Sequence, residues 1–581
     1  MSVPSQPLQP LDVTSLRAVV GELAAALVPS RFEKAQQSDP CTLQLGLRSL
    51  EGLEWLEISW LPEAPRLLGI APPRRQGDGS TLAQQLQHGL RGLALVAIEQ
   101  QGWERVVRLR FAERPGAMPQ RELVVELMGR HSNLFQLDAD GRVVALGHQV
   151  RPGQSRLRPI GTGDPYQPPP PLRGDRPLGQ EPRARWQQRL ALLPLPLGRA
   201  LADTYQGMSP ALIRQLLGDT PEESAAWLER PVAELSPGDW ERLWRRWGAW
   251  LQAVEQGRFQ FEATGPTPYR CWRTEPQPDQ QPETAAATRE SPRLPLNRRL
   301  AAYYHQALAD RELQRRRHQL EQRLQEALQR ERRQIRQQEE LLAAAAGSED
   351  LQGRADELLS QFGLNREQVE EAQKLYRRAR KLRRSVGAIT PRLEEHRSRL
   401  AWLEHSRTFL EQAESAAELE ALEEELSEAL AGRPATGRKE RRRRDSAREP
   451  KPLTLTTAGG VPVQVGRNHR QNEWISLSQA RRGDLWFHAQ ECPGSHVVLK
   501  ASLAAAGEAD LQAAADLAAH FSRARGNSRV PVVMVPAEDL QRIPGSGPGT
   551  VRHRGGMVLW GEPERGGALR ARPSLAREPA P

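Results

Sequence analysis

The chain has 581 residues, 38% of them hydrophobic, with 82 Lys and Arg against 72 Asp and Glu and a net charge of +10; it is too long for one core and is biased toward a polyanionic partner. Three cysteines, Cys41, Cys271 and Cys492, lie far apart, which excludes a disulfide-stapled secreted scaffold and makes the reducing cytoplasm the expected compartment. No apolar run approaches a membrane span, and the first thirty residues lack the basic start and unbroken apolar stretch of a secretion signal, so neither a membrane partner nor export is expected.

The spacing predicts a multidomain α+β protein. Residues 1–170 read as an α+β domain. It opens with an amphipathic helix over 11–28 that keeps Leu16, Val19, Val20, Leu23 and Leu27 on one face, with Asp12 at its start. Alternating segments at 42–48, 54–60, 66–70, 94–98, 104–111 and 122–128 read as strands, with a second helix over 81–90. A hairpin then joins 133–137 to 143–146 through Asp140-Gly141. The Pro/Gly/Arg-rich stretch 171–183 is a linker.

From 184 to 296 the pattern turns helical, with Trp186 and Leu190, then Leu243, Trp247 and Leu251 at helical spacing. The turn Gly207-Met208-Ser209-Pro210 places Ser209 as an N-cap and Pro210 in the first turn, as in a helical hairpin that could hold phosphate at a helix N-terminus. Residues 297–431 shift abruptly to Arg, Glu, Gln, Leu and Ala. Leu382, Val386, Ile389, Leu393, Leu400, Leu403 and Leu410 step by four and three, with His396 and Arg407 in two core-type slots, and Leu313, Leu320, Leu324, Ala327 and Leu341 form a looser seam. This predicts a long antiparallel coiled-coil arm, each half about 65 Å long, with a small helical knot at its tip among Gly347, Gly353 and Gly363. A basic linker, 432–452, leads to a C-terminal α+β domain, 453–562, and a frayed tail, 563–581.

Within the last domain, Leu485 to Ala489 and His496 to Lys500 flank the corner Cys492-Pro493-Gly494-Ser495. The reading is strand, turn, strand, with aromatic, imidazole and hydroxyl groups brought to one place. Two readings of this corner stand side by side: a hairpin with Trp486 and Phe487 as core and locally bonded histidines, or a binding site. A zinc site from His488, Cys492 and His496 lacks a fourth ligand, and Pro493-Gly494 prevents the helix that would align them; no metal or cofactor is expected. No nucleophile with a base at a recognisable spacing and no P-loop occurs, so no catalytic residue is assigned.

Asn472-Glu473-Trp474-Ile475-Ser476, followed by Asp484-Leu485-Trp486-Phe487-His488 and Pro493-Gly494-Ser495-His496-Val497-Val498, resembles the RNA-binding domain of the NFACT family. Toward the N-terminus, residues 12–18, the turn Gln101-Gly102-Trp103-Glu104-Arg105, Met128-Gly129-Arg130-His131-Ser132-Asn133 and Pro165-Tyr166-Gln167-Pro168-Pro169 resemble the family's N-terminal domain. The helical hairpin and the coiled coil occupy the family's order.

The resemblance implies that Asp12, Glu104, Arg105, Arg130 and His131 engage transfer RNA, although the family's usual Asp-Arg pair stands here as Glu104-Arg105. It implies RNA contacts by Arg467, Asn472, Trp486, His488, Ser495 and His496. The implied function is that of a non-enzymatic ribosome quality-control adaptor. Such an adaptor binds a stalled large ribosomal subunit carrying peptidyl-tRNA, contacts ribosomal RNA and recruits alanyl-tRNA for untemplated alanine tailing that marks the nascent chain for degradation. An S4-like tailing partner, RqcP, is a further implied partner. The rival readings are a general RNA-binding protein, a fibronectin-binding surface adhesin and a nucleic-acid-processing enzyme; the last would need a catalytic amine, and the chain starts with Met1 while Pro4 is internal.

Overall fold

The structure is a computed structural model that describes residues 8–75, 80–273, 293–360, 362–363, 365–430, 450–543 and 547–571. The chain divides into two compact units, Met1–Ala309 and Asp310–Pro581.

In the first unit, α1 (Val13–Leu27) packs its apolar stripe of Leu16, Val19, Leu23 and Leu27 into the main core. The strands are β1 (Ser30–Asp39), β2 (Thr42–Ser49), β3 (Gly52–Ser59), β4 (Arg66–Ile70), β5 (Ala94–Gln100), β6 (Val106–Ala112), β7 (Arg121–Glu126), β8 (Asn133–Leu137) and β9 (Val143–Leu146), with α2 (Thr81–Gly89) between β4 and β5. They form one nine-stranded antiparallel sheet in the order β4-β3-β2-β1-β5-β6-β7-β8-β9. The interior strand β1 was not foreseen, because its sequence Ser-Arg-Phe-Glu-Lys-Ala-Gln-Gln-Ser-Asp is almost wholly polar. Its buried Gln36 is satisfied by donating to Gln44 Oε1 at 2.9 Å and to the Arg74 carbonyl at 3.0 Å, which removes the cost of placing an amide there.

The helices α3 (Arg183–Leu190), α4 (Leu197–Thr204), α5 (Pro210–Leu217), α6 (Pro221–Leu228) and α7 (Pro237–Gln256) enclose a second core built on Trp186, Trp247 and Trp250. Val13 and Trp103 from the sheet region belong to the same core, so the two domains expected at 1–170 and 184–296 are joined by packing into one unit. The boundary expected at residue 297 also moves. The helix α8 (Pro295–Ala346) places Leu296, Leu300 and Tyr304 in the first unit's core. Its Asn297 accepts from Gly69 N at 2.8 Å and donates to Glu22 Oε2 at 2.7 Å.

In the second unit, α8 is followed by α9 (Ser348–Leu359), α10 (Arg366–Gln412) and α11 (Ala416–Leu430). Cross-helix pairs establish the direction: Arg317 donates to the Ala413 carbonyl, Arg332 meets Glu404 at 3.1 Å, and Glu339 meets Arg397 at 2.7 Å. Partners on α10 recede as α8 advances, so the two helices are antiparallel. The expected knot is instead a continuation of the ascending limb. Asp356 and Gln352 of α9 bond to Tyr376 and Arg383 of α10, and the chain reverses before α10, where Gly363 has a φ of +84° that suits glycine.

Ile389, Leu393, Leu403 and Leu410 are buried as the heptad pattern predicts, and Leu403 and Leu410 share one core with Leu320 and Leu324. Leu341 is 47% exposed and Arg407 is an exposed pair with Glu411; the apolar contact is concentrated where α11 adds Leu419, Leu422 and Leu426 as a third helix.

The C-terminal part holds β10 (Leu453–Thr456), β11 (Pro462–Val465), β12 (Leu485–Ala489), β13 (Val497–Leu499), β14 (Val530–Pro536), the small pair β15 (Leu540–Arg542) and β16 (Val551–His553), and β17 (Met557–Gly561). The larger sheet is antiparallel in the order β10-β11-β13-β12-β14-β17, and the helix Glu508–His520 covers one face. The expected tail after Glu562 begins as a helix, Pro563–Ala571. Gly561 and Gly566 let it approach the Glu508–His520 backbone so closely that a Cβ on either would lie 2.3 Å from a carbonyl oxygen, and Arg565 pairs with Asp516 at 3.0 Å. The rest of the tail, nearly all of the basic linker and residues 544–546 lie outside the described residues.

Asn297→Ala leaves the Gly69 N–H without its buried acceptor and removes one donor from the Glu22 carboxylate, which keeps the backbone N–H groups of residues 296 and 297. Equilibrium urea unfolding is expected to show a loss of about 2 kcal/mol, in the range for an orphaned buried group.

Candidate nucleic-acid interface

Asp12 ends the chain's approach to α1, and it is buried because it serves two helices. One carboxylate oxygen accepts from Ser15 N at 2.8 Å, and the other accepts from Ser209 Oγ at 2.9 Å. Ser209 in turn caps α5 by accepting from Leu212 N at 3.0 Å. Two helix N-termini, each a locus of positive potential, are thus tied to a single carboxylate.

The Gln101–Arg105 turn lies beside them. Gly102, with φ +55°, accepts from Arg17 at 2.6 Å, and the Arg17 guanidinium lies 5.0 Å from the Trp103 ring, whose other neighbour is Trp250 at 5.6 Å. Glu104 and Arg105 are half-buried. Burial pushes the Glu104 carboxyl up, and burial pushes the Arg105 guanidinium down while Asp12 opposes that change. Asp12, Arg17, Glu104, Arg105 and Ser209 therefore make one charged corner over a tryptophan floor; Arg17 and Ser209 were not singled out as binding residues from sequence.

Arg130 and His131 stand exposed on a short 3-10 turn, with Arg130 Nε donating to His131 Nε2 at 3.0 Å. Behind the turn, Glu126 is buried and takes Arg158 Nη1 and the Tyr166 hydroxyl, each at 2.8 Å. That is the structural use of the Pro165-Tyr166 segment.

The C-terminal motif is arranged differently from the expected set of exposed RNA contacts. Alternation along β12 sends Leu485, Phe487 and Ala489 to the helix-covered face and Trp486 and His488 to the other. Asn472 is buried. Its Nδ2 donates to the Gly494 carbonyl at 3.4 Å and its Oδ1 accepts from His496 N at 3.0 Å, which fixes the Pro-Gly-Ser corner. Ser476 Oγ bonds His496 Nδ1 at 2.8 Å.

Arg467 is committed inside the fold. It donates to Glu418 Oε1 at 3.1 Å and to the Gln412 carbonyl at 2.5 Å, with its guanidinium 4.4 Å from the Phe521 ring. Ser495 is fully buried and Trp486 is only 2% exposed. Arg467, Asn472 and His496 are retained by bonding their neighbours, whereas Ser495 Oγ and Trp486 Nε1 are buried without a partner; most of the motif thus builds a shape rather than offering atoms to solvent.

That shape is a cavity of about 1320 Å³ lined by Trp402 and His405 of α10, His469, Trp486, His488 and His496 among others. Trp402 stacks on His469 at 4.4 Å, and Trp486 on His488 at 5.6 Å. Burial pushes His405 and His488 down to about 4, with Arg523 adding to the effect on His405, and it pushes His469 and His496 well below the usual imidazole range. His488, Cys492 and His496 do not form a metal cluster; none is found among the described residues.

Exposed groups suited to RNA lie elsewhere in this domain. Arg552 and Arg554 are exposed, and the edge strand β17 presents Trp560, 57% exposed, with Met557 and Val558. Arginines beside an open indole are the chemistry of single-stranded RNA contact. The run Arg552-His553-Arg554 near Trp560 was the available signal, and it was passed over.

Residues 12–368 and 361–445 match the family described as NFACT N-terminal and middle domains, and residues 451–555 match the NFACT protein RNA binding domain. The chain belongs to the NFACT family. Over 579 residues this NFACT protein is 26% identical to the Rqc2 homolog RqcH of Streptococcus pneumoniae, covering 94% of this chain and 96% of that protein. It is 31% identical over 193 residues, 32% of each chain, to the Rqc2 homolog RqcH of Bacillus subtilis. Among solved structures, the C-terminal part of the fibronectin/fibrinogen-binding protein from Streptococcus suis is 31% identical, with 44% of this chain and 98% of that chain covered and a TM-score of 0.37.

The four neutral histidines give the NFACT fold a pH dependence. Each is uncharged when folded but would bind a proton near pH 6.5 when unfolded, so their contribution is fully present above about pH 6.5 and is lost as pH falls toward 4. Glu425, pushed up to about 7 chiefly by burial, works in the opposite sense: its contribution is present below about 4.5 and is lost as pH rises through 7. The imidazoles outnumber it. Urea midpoints are expected to fall as pH drops from 6.5 toward 4, and His405→Phe is expected to flatten that dependence by about one proton.

Proposed function

We propose that this protein is a ribosome quality-control adaptor that acts on large ribosomal subunits blocked by peptidyl-tRNA and recruits alanyl-tRNA for untemplated tailing of the nascent chain. The observation that carries this reading is the run of NFACT N-terminal, middle and RNA-binding regions in one order over residues 12–555, alongside full-length similarity to proteins named RqcH.

The charged corner of the first unit is suited to transfer RNA. Arg17 and Arg105 supply cationic donors, two capped helix N-termini lie behind them, and Asp12 and Glu104 limit where a phosphate can sit. In the second unit, the antiparallel hairpin serves as a long lever, and the exposed Arg552, Arg554 and Trp560 provide phosphate and base-stacking contacts for ribosomal RNA. In this reading the ribosome performs peptide transfer in the cytoplasm, the chain itself makes no bond, and the S4-like partner RqcP joins at the tailing step.

Affinity-purified protein is expected to enrich large-subunit RNA and alanine transfer RNA. Glu104→Ala with Arg105→Ala is expected to lower transfer RNA recovery about tenfold or more, the scale of one charge-assisted contact, while keeping large-subunit RNA. Loss of both RNAs together, or of neither, counts against this division of roles, and absence of the protein from stalled subunits in sedimentation profiles counts against the function.

Arg552→Ala with Arg554→Ala is expected to show the reverse pattern. Large-subunit RNA recovery falls and its salt dependence becomes shallower by about two phosphate contacts.

A further inference from the structure

The cavity behind the Pro-Gly-Ser corner is chemically unlike an RNA groove. Three of its walls are nearly parallel rings: Trp486 and His488 are 11° apart at 5.6 Å, and His488 and His405 are 4° apart at 6.2 Å. The Nε1 atoms of Trp402 and Trp486 and the Nε2 atom of His488 are buried without a hydrogen-bond partner. Unpaired polar atoms in such a site are costly unless a ligand completes them.

The cavity lining also includes Glu394, Glu395 and Glu491, exposed carboxylates that form no ion pair among the described residues. The lining's two arginines are already neutralised: Arg399 faces Glu331 at 3.4 Å, and Arg470 faces Glu424 at 3.5 Å and Glu428 at 2.5 Å. The surroundings are therefore net negative.

We propose that this cavity is a peptide-binding site that takes an arginine-bearing segment of a protein partner. A guanidinium matches the site at every point. Its flat face stacks on indole and imidazole rings, its charge meets the unpaired carboxylates, and the neutral His488 Nε2 can accept one of its N–H groups. The peptide's own carbonyl oxygens supply the acceptors that the two indole N–H groups lack. A nucleobase would also satisfy the indoles, but its phosphates would be brought against three carboxylates. This site goes beyond RNA binding and does not depend on the tailing role.

The test uses the full chain and fluorescence anisotropy of a labelled Gly-Arg-Gly-Arg-Gly peptide, its Lys counterpart, and a ten-nucleotide single-stranded polyadenylate. The Arg peptide is expected to bind and the Lys peptide to bind several-fold more weakly. The triple variant Glu394→Gln, Glu395→Gln, Glu491→Gln, whose changes lie on the surface, is expected to weaken the Arg peptide about tenfold or more without changing oligonucleotide binding. Trp486→Phe keeps a ring but removes the indole N–H, and it is expected to weaken the peptide in a chain that still unfolds cooperatively in urea, at a midpoint lowered by the smaller buried ring. The proposal is overturned if the Arg peptide fails to bind or if the triple variant binds it as well as the parent. It is also overturned if polyadenylate displaces the peptide and is itself weakened by Trp486→Phe, which would make the cavity a nucleobase site.

Discussion

A buried polar side chain has to find partners, and in both units of this protein such a side chain holds the pieces together. Asp12 joins the N-termini of α1 and α5 through Ser15 and Ser209, and Asn297 joins the start of α8 to β4 and α1. In the second unit, Arg467 ties the corner between α10 and α11 to the C-terminal sheet region, and Asn472 locks the Pro-Gly-Ser turn. Removing any one of these leaves its partners unsatisfied in a low-dielectric place, so the penalty exceeds the worth of a surface contact.

This constraint explains why motif residues and contact residues are different sets. Polar side chains that recur in a recognisable pattern, such as Asn472, Ser476 and His496, are those whose hydrogen bonds set backbone shape. Exposed side chains such as Arg552, Arg554 and Trp560, the contacts proposed above, are under no such constraint. The cavity lies between these extremes. Its rings are rigidly held, yet three of its polar atoms remain unpaired, the arrangement of a preorganised site rather than of a finished core.

Much of the fold was legible where side-chain period reports burial directly. The strands β4, β8, β9 and β12 begin and end at the expected residues, and the heptad positions Ile389, Leu393, Leu403 and Leu410 are buried. The strand β1 was not legible, because its buried position depends on Gln36 finding Gln44 on the next strand and the Arg74 carbonyl farther along the chain. The helix after Glu562 was hidden for a similar reason: a stretch containing two adjacent glycines reads as coil until close packing on the Glu508–His520 helix makes the missing Cβ atoms an advantage.

The sequence by itself determined the order of regions, the family, the antiparallel sense of the long helices and the cationic character that favours RNA. These follow from local period and from short motifs, which need no knowledge of what packs where. Only the tertiary structure decided that residues 1–309 form one unit, that Arg467, Asn472 and Ser495 face inward, and that Trp402 and His405, more than eighty residues from Trp486 in sequence, close a cavity with it. Burial of a polar group depends on partners brought from distant positions, and no spacing within one segment encodes that meeting.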